Sequence, residues 1–309
     1  MVNEIEEITL ELTTRCNLRC RICSLWRESI DLPLEPVKKF IEPFFPVGLS
    51  LTGGEPFLWP NFDDFLRYLL AQRLRGKVTF IHISTNGTLD IAREKLERLE
   101  KFLPLISITV SLDGVKEVHD RQRGVDGSFD RALKFILWAK RKKVKCSLKM
   151  VITSLNQFET IKVWRIAKEL EMPIYFKPYE VVNVYYHRFS PGRDLCPDSE
   201  AVSEQLEIVY REAMGQKWLK GNRYFFFALD LMRKYFKEGF LEINSCNVPS
   251  KFLFVTSEGR IFSCLYLDPV GDIFSGIDVE KFRYVSDLGI GGKCGGCLAY
   301  HGYVQDYNL

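Results

Sequence analysis

The chain has 309 residues, enough for one large domain or a domain with a smaller module. Its hydrophobic content of 46% and charged content of 27% are typical of a soluble globular protein, and the formal charge of +3 comes without the basic stripe of a nucleic-acid-binding protein. The N-terminal residues are acidic rather than a signal peptide, and no run reaches the roughly 18 apolar residues of a membrane span. We therefore expect a cytoplasmic protein that binds neither membranes nor nucleic acid.

Short apolar, β-branched runs alternate with helical patterns over the first part of the chain. The predicted strands lie at 7–12, 47–52, 78–85, 105–112, 145–153 and 173–177. The predicted helices lie between them at 34–44, 61–72, 92–102, 129–141 and 158–170. This alternation favours parallel strands with crossover connections, hence an α/β barrel or an open doubly wound sheet.

The pattern changes after residue 177. Two further helices are predicted at 200–214 and 224–237, and a glycine- and cysteine-rich tail begins near residue 244. We divide the chain into a barrel at 1–180, a helical insert at 181–243 and a C-terminal module at 244–309.

Polar, glycine-containing segments follow four consecutive predicted strands. They are "TRCNLRCRIC" (14–23), "TGGEP" (52–56), "STNG" (84–87) and "SLDG" (111–114). Because ligands of barrels and of doubly wound sheets bind at the carboxyl ends of the strands, these segments predict one shared binding rim.

The first of these segments carries three cysteines, Cys16, Cys20 and Cys23, in a Cys-x3-Cys-x2-Cys spacing. In a reducing cytoplasm, clustered cysteines indicate metal rather than disulfides. Three thiolates can hold three irons of a [4Fe–4S] cluster and leave the fourth iron open for another ligand. From the spacing alone, a zinc site completed elsewhere in the chain is the alternative.

Together with "GGEP", the cysteine triplet resembles the radical S-adenosylmethionine (SAM) superfamily over about the first 180 residues. The resemblance implies an α/β fold, a partial (βα)6 TIM-like barrel, in which the open iron binds the amino and carboxylate groups of SAM. It implies that an electron, from a donor such as flavodoxin or ferredoxin, cleaves SAM to a 5′-deoxyadenosyl radical. That radical takes a hydrogen atom from the substrate, so the cofactors supply the difficult chemistry.

The same resemblance assigns SAM-binding residues one position at a time. The "GGEP" residues Gly53, Gly54, Glu55 and Pro56 match the segment that meets the amino group, and Ser84 and Asn86 match the pair that faces the ribose. Ser111 and Asp113 lie at the same rim, and Arg123 matches an arginine that pairs with the carboxylate. Ile22 stands where the family often has an aromatic residue, so the expected adenine contact is aliphatic.

The tail contains Cys246, Cys264, Cys294 and Cys297, with 17, 29 and 2 residues between successive members. Four thiolates suit zinc or a complete [4Fe–4S] cluster, and spacing does not separate the two. A hairpin pattern at 252–264 follows Cys246, with Gly259 in its turn and Cys264 closing its second strand. This tail resembles the SPASM and twitch extensions of radical SAM enzymes, and one quartet matches the shorter twitch type, which implies one auxiliary cluster in a small β-hairpin/helix module.

An auxiliary cluster that accepts an electron predicts an oxidoreductase acting on a small metabolite or a peptide. Candidate catalytic residues after the sixth strand are Tyr179, Glu180, His187 and Asp194, with Tyr186 and Arg188 as further candidates for substrate binding. Because the first strand begins close to Met1, we expect no leader-binding domain ahead of the barrel, which mildly favours a small molecule over a peptide. The alternatives are a redox-neutral rearrangement or cyclisation, and a non-catalytic iron- or zinc-binding scaffold or regulator.

Overall fold

The computed structural model describes residues 4–179, 193–238, 246 and 248–290. The strands in these ranges are β1 (Glu7–Glu11), β2 (Val47–Thr52), β3 (Val78–Thr85), β4 (Ile106–Ser111), β5 (Lys145–Ile152), β6 (Ile174–Pro178), β7 (Phe252–Val255), β8 (Arg260–Phe262), β9 (Gly271–Asp272) and β10 (Gly276–Ile277). They form one sheet in the spatial order β10-β9-β8-β7-β1-β2-β3-β4-β5-β6.

Helices connect the strands and pack outside the sheet. They are α1 (Leu34–Ile41), α2 (Phe62–Leu74), α3 (Asp90–Glu97), α4 (Glu117–Arg123), α5 (Ser128–Arg141), α6 (Thr160–Leu170), α7 (Ser199–Met214), α8 (Arg223–Glu238), α9 (Val248–Lys251) and α10 (Val279–Ile290). No helix in these ranges has the length and apolar content needed to cross a membrane.

Strands β1 to β6 pair in parallel and in sequence order. The curved sheet does not close, so the predicted partial barrel is confirmed.

The two faces of each strand differ in burial. Outward residues such as Ile8, Leu10 and Val110 are fully buried against the helices. Because successive side chains alternate between faces, the intervening residues point into the barrel.

The inner face of the barrel carries polar side chains beside aromatic ones, whereas the interior of a closed (βα)8 barrel is a packed apolar core. Neighbouring strands satisfy part of this polarity among themselves: the hydroxyls of Thr109 and Ser147 lie 2.8 Å apart, and His82 Nδ1 lies 2.9 Å from Ser107 Oγ. Each such group, if buried without a hydrogen-bond partner, would cost on the order of 1–3 kcal/mol. The inner face therefore lines a cavity instead of a core.

The predicted C-terminal hairpin is confirmed, because β7 and β8 pair antiparallel around Gly259, whose φ is +90°. Strand β7 also pairs in parallel with β1, which sequence reasoning did not anticipate. The Glu11 carboxylate of β1 accepts bonds from the Ser257 N–H at 3.0 Å and the Ser257 hydroxyl at 2.6 Å. The tail thus extends the barrel sheet, while the proposed boundary at residue 244 stays a prediction.

Two local differences from the sequence prediction bear on the site. Helix α4 was not predicted, because its seven residues bury His119, Gln122 and Arg123 rather than an apolar stripe. The helix predicted at 92–102 ends at Glu97 in the structure. It is followed by a 3-10 turn over Glu100–Leu105 that contains Pro104, whose ring nitrogen cannot donate a hydrogen bond.

Candidate active site

The three cysteines of the barrel lie in the loop after β1, which we call the cysteine loop (residues 14–23). Cys16, Cys20 and Cys23 line a cavity of about 140 Å³ at the carboxyl ends of the strands. One side of the loop bonds to the main chain of α4: the Arg19 N–H donates to the Arg123 carbonyl at 3.1 Å, and the Arg21 N–H to the Gln122 carbonyl at 2.9 Å. The unpredicted helix therefore supports the loop.

Glycines let two neighbouring segments, the loop after β2 and the end of α4, pack directly against the backbone of residues 13–19. A Cβ on Gly53, whose φ is +150°, would lie 2.4 Å from the Thr13 carbonyl oxygen, and one on Gly54 would lie 2.4 Å from the Thr14 and Arg15 oxygens. On the other side, a Cβ on Gly124 would lie 2.2 Å from the Arg19 carbonyl oxygen. No side chain fits at these contacts without moving the loop.

We expect Gly124→Ala to displace the cysteine loop, and Gly76→Ala is the matched control. Both glycines have left-handed φ, +70° and +73°, but nothing lies within 4 Å of a Cβ at Gly76. The control should cost about 1 kcal/mol of unfolding free energy, and Gly124→Ala roughly 1–3 kcal/mol more. Denaturant unfolding and iron content after anaerobic reconstitution measure the two effects. Equal losses in both variants would contradict the role of this contact.

Burial governs the chemistry of the three thiols. It raises the pKa of Cys16 and of Cys23 to about 12, and it also raises the pKa of Cys20. Only weak donors face them: the Leu18 N–H is 3.4 Å from Cys16 Sγ, and Arg123 Nη1 is 3.9 Å from Cys20 Sγ. Thiolates here need additional positive charge, which a bound metal centre supplies.

The donor set fits an iron–sulfur cluster, because three thiolates that line one cavity are ligands such a cluster takes, as zinc also does. No three Cys, His, Asp or Glu side chains in the described ranges are grouped closely enough for a single metal ion. A cube of iron and sulfide places its thiolates farther apart than a single ion does. All seven described cysteines are free thiols, including the triplet.

A buried ion pair stands behind the cysteine loop. Arg123 Nη2 lies 2.6 Å from Asp113 Oδ2, and the Asp113 side chain is fully buried. The other oxygen of Asp113 accepts a bond from the Val151 N–H at 2.9 Å. Burial alone would lower the pKa of Arg123, but Asp113 and Cys20 raise it above its ordinary value. Arg123 is therefore a permanent cation beside Cys20.

His119 packs beneath this ion pair and accepts a hydrogen bond from the Asp113 N–H through Nδ1 at 3.1 Å. Its side chain is 1% exposed. Burial, reinforced by the charge of Arg123, lowers the pKa of His119 to about 4. The imidazole is thus neutral at physiological pH.

This depressed pKa predicts acid sensitivity of the barrel. Because the folded-state pKa lies below the ordinary value of 6.5, the contribution of His119 is present above pH 6.5 and is lost as the pH falls towards 4. His119→Asn keeps an acceptor but does not titrate, so the stability advantage of the wild type over the variant should shrink by roughly 3 kcal/mol across this window. Denaturant unfolding at stepped pH values measures it, and a constant difference would refute the prediction.

Glu55 lies under the cavity rather than on its surface. It is fully buried, its Oε1 accepts from the Thr85 hydroxyl at 2.8 Å, and its Oε2 accepts from the Asn86 N–H at 2.9 Å. Burial raises the pKa of Glu55 to about 7. The carboxylate braces the end of β3 against the loop after β2, and its assignment to the SAM amino group stays a prediction.

The structure brings most of the other assigned SAM residues to the same cavity. Those that line it are Ile22, Gly53, Gly54, Ser84, Asn86, Ser111 and Arg123. Pro56 begins a buried 3-10 turn, Pro56–Leu58, and Asp113 lies behind Arg123. Asn86 Nδ2 donates to Asn17 Oδ1 at 2.9 Å and lies 3.9 Å from Cys16 Sγ, so it also supports the cysteine loop.

Two aromatic residues border the site in different ways. Trp26, which sequence reasoning missed, lines the cavity, and its Nε1 donates to the Cys23 carbonyl at 2.8 Å. Tyr179, a predicted catalytic candidate, is buried in a small cluster with Leu18, Cys20 and Ile22. Burial, with the neighbouring Cys196 and Asp194, raises the pKa of Tyr179 above its ordinary value. Its phenol is therefore protonated at neutral pH.

The remaining predicted residues are only partly within the described ranges. The Asp194 carbonyl accepts a bond from the Ser154 hydroxyl at 2.7 Å, which ties this segment to the end of β5. Cys246 and Cys264 are half-buried and pack against the core beside the β7–β8 hairpin. The residues outside the described ranges are Glu180, Tyr186, His187, Arg188, Cys294 and Cys297.

A second cavity, of about 900 Å³, occupies the interior of the barrel. It meets the cysteine cavity at four residues that line both: Thr52, Ser84, Thr109 and Lys149. Sequence reasoning missed this cavity, although alternating polar residues in β4 ("ISITVS") and β5 ("KCSLKMVI") were its signal. Because four lining residues are shared, the barrel cavity lies next to the cysteine cavity.

Comparisons with known proteins agree with this geometry. The Radical SAM superfamily model matches residues 10–162. The chain is 28% identical to an AdoMet-dependent heme synthase of Methanosarcina barkeri, over 96% of this chain and 89% of the relative. It is 35% identical to AlbA, a subtilosin biosynthesis protein of Bacillus subtilis, over 66% of this chain and 45% of the relative. The chain spans about half the length of several of the relatives that it matches.

Among solved structures, anSMEcpe with bound AdoMet and a Cp18Cys peptide superposes with a TM-score of 0.66 and 18% identity. The match covers 98% of this chain and 94% of that one. At this identity the likeness establishes the fold, including the C-terminal strands that follow the barrel.

Proposed function

Because the chain belongs to the radical SAM superfamily, we propose that it takes a hydrogen atom from a substrate in the barrel cavity and oxidises that substrate. Enzymes of this family use a [4Fe–4S] cluster and SAM. We assign the cluster to Cys16, Cys20 and Cys23, and SAM to the adjoining cavity. When bound, these groups supply one-electron cleavage of a sulfonium bond and an organic radical that abstracts hydrogen.

The observation that supports this proposal is that the two cavities adjoin. Thr52, Ser84, Thr109 and Lys149 line both spaces, so a group bound over the cysteines would lie next to the contents of the barrel. Abstraction of hydrogen requires such contact, since the reacting atoms must approach to about 3–3.5 Å.

The chain's own residues hold and shield the reacting groups. Gly53 and Gly54 expose backbone at the cavity surface, and Arg123 presents its permanent positive charge to Cys20. Leu18, Ile22 and Tyr179 pack around Cys20 and exclude water from that side. A phenol with a raised pKa is a hydrogen-bond donor rather than a base, so Tyr179 is better suited to binding than to accepting a proton.

The oxidation step needs an electron acceptor, and we assign this role to an auxiliary [4Fe–4S] cluster on Cys246, Cys264, Cys294 and Cys297. The first two lie beside the hairpin that pairs with β1, which brings this region to the edge of the barrel sheet. A redox-neutral rearrangement would not need this second centre, so iron content separates the two reactions.

The relatives suggest two substrate classes. The heme synthase points to a tetrapyrrole, and the wide alignment over both chains supports this candidate. AlbA and the peptide-bound anSMEcpe point to a peptide instead. The barrel cavity has the volume of a small-molecule site, but it is partly open and would also admit a peptide side chain.

Anaerobic reconstitution followed by reaction with dithionite and SAM tests the proposed function. We expect about eight irons per chain, four for each cube, and release of 5′-deoxyadenosine. If the protein binds only about four irons, it has no auxiliary cluster, and the proposed oxidation, which depends on that cluster, is ruled out. Absence of 5′-deoxyadenosine from fully loaded protein, with zinc bound in the tail, would instead support a non-catalytic scaffold.

A further inference from the structure

A buried cation lies against the thiols of the cysteine loop. Arg123 Nη1 is 3.9 Å from Cys20 Sγ. Burial raises the pKa of Cys20 and of Cys23, and the positive charge of Arg123 opposes this rise at both thiols. The Arg123 carbonyl also accepts the Arg19 N–H of the loop at 3.1 Å. The main chain and the side chain of one residue therefore both meet the cysteine loop.

A carboxylate holds the other side of this guanidinium. Arg123 Nη2 lies 2.6 Å from Asp113 Oδ2, and both side chains are buried. The position of Asp113 is fixed by Val151, whose N–H donates to Oδ1 at 2.9 Å, and by His119, which accepts the Asp113 N–H at 3.1 Å. Asp113 acts on Cys20 in the opposite sense to Arg123 but more weakly. The pair is thus a fixed dipole whose positive end faces Cys20.

Two carboxylates act on the other thiols of the loop. Glu55 raises the pKa of Cys16, and Glu11 raises the pKa of Cys23, in both cases as a smaller contribution than burial. Their charges oppose that of Arg123, so the dipole is the arrangement that brings positive charge to this site.

The other cationic groups around the loop are exposed or uncharged. Arg19 and Arg21 are exposed, and water and salt screen an exposed charge more than a buried one. His119 is neutral at physiological pH, because burial lowers its pKa to about 4. Within the part of the chain that the structure describes, Arg123 is therefore the buried cation in contact with these thiols.

We propose that the buried pair Arg123–Asp113 sets the reduction potential of a cluster held by the three cysteines, with Arg123 raising the potential and Asp113 limiting the rise. The inference rests on the proposed function, because it places the cluster on the cysteine loop. Cluster potentials depend on net charge and on hydrogen bonds to the sulfurs. Reduction adds one negative charge, which a nearby cation stabilises most where water is excluded. The pair would thus let a weaker reductant reduce the cluster.

Potential-poised electron paramagnetic resonance of the anaerobically reconstituted protein tests this pair without turnover. SAM is left out, so that a contact between Arg123 and its carboxylate has no influence. The signal that is absent from Cys20→Ala identifies the cluster of the cysteine loop. Asp113→Asn keeps an acceptor for the guanidinium but loses the negative charge, so its potential should be higher than that of the wild type.

The sharpest comparison is between Asp113→Asn and the double variant Arg123→Met/Asp113→Asn. These proteins differ only at residue 123, and neither leaves an unpaired carboxylate buried. At the midpoint potential of Asp113→Asn, the double variant should show a ratio of reduced to oxidised cluster about tenfold lower, a shift of about 59 mV for one electron. Arg123→Lys should stay closer to the wild type than Arg123→Met. Arg21→Met is the matched control, with a change of about threefold or less.

Several results would overturn the proposal. Equal potentials of Asp113→Asn and the double variant would show that the charge of Arg123 does not reach the cluster. A shift of Asp113→Asn and Arg123→Met in the same direction would indicate lost structure rather than lost charge, and an equal shift in Arg21→Met would indicate a general surface effect. If no variant at residue 113 or 123 bound iron, the pair would hold the cluster instead of tuning it.

The proposed function fails by different observations. A wild type that binds no iron would refute that function and this inference together. A wild type that binds iron and releases 5′-deoxyadenosine, but whose potential is the same with and without the charge of Arg123, would refute only the tuning by the pair. A tuned cluster without 5′-deoxyadenosine release would refute only the enzymatic proposal.

Discussion

Cys20→Ala is expected to remove about four irons per chain after anaerobic reconstitution and to abolish release of 5′-deoxyadenosine. Cys20 is the most enclosed of the three thiols that line the cysteine cavity, and no other cysteine within the described ranges lines it. Two remaining thiolates cannot hold the cube at three corners. Iron analysis and chromatography of the reaction products measure the loss.

Cys146→Ala is the matched control for this change. Burial also raises the pKa of Cys146 to about 12, but Cys146 lies at the start of β5, where it lines the barrel cavity and not the cysteine cavity. The control should keep full iron content and lose about 1 kcal/mol of stability or less. If Cys20→Ala retained both its iron and its activity, the assignment of the cluster to the cysteine loop would be wrong.

Arg123→Met is expected to destabilise the chain by about 3–5 kcal/mol, because it leaves the carboxylate of Asp113 buried without its cation. Asp113 is fully buried, and its partner is 10% exposed. A double-mutant cycle with Asp113→Asn isolates the interaction, and the double variant should recover part of the loss. Denaturant unfolding of the four proteins before reconstitution supplies the free energies.

The exposed pair Arg15–Asp31 provides the comparison for this cycle. Its atoms lie 3.0 Å apart, but its side chains are 45% and 25% exposed. Arg15→Met should therefore cost less than about 1 kcal/mol. Equal losses for Arg15→Met and Arg123→Met would show that burial of the Asp113 pair carries no energetic consequence.

Hydrophobic alternation was sufficient to predict the barrel. In "VGLSLT" and "VTFIHIST", residues 47–52 and 78–85, the apolar positions other than Phe80 are buried against the helices, and both ranges coincide with β2 and β3. The rule that ligands bind at strand ends then brought the cysteine loop and Gly53 to one rim. Both steps use local sequence, which is why they succeeded.

The features that the sequence did not predict depend on contacts between residues far apart in the chain. Nothing in "SLDG" indicates that Asp113 bonds Arg123, because that contact needs the unpredicted α4 to turn back over the cysteine loop. The burial of Glu55 is equally non-local, since its partners Thr85 and Asn86 come from the following strand. The inward lysines were visible as alternate residues of β5, but alternation alone does not show whether a barrel interior is filled or hollow.

The glycine contacts on both sides of the cysteine loop have a consequence for assembly. Gly54 and Gly124 admit the loop closely enough for backbone hydrogen bonds to hold it on both sides. Zinc fingers, in contrast, fold only when their ion arrives. We therefore expect these backbone contacts to order the ligands before the cluster arrives, so that a cluster made elsewhere can be delivered to a site that is already shaped.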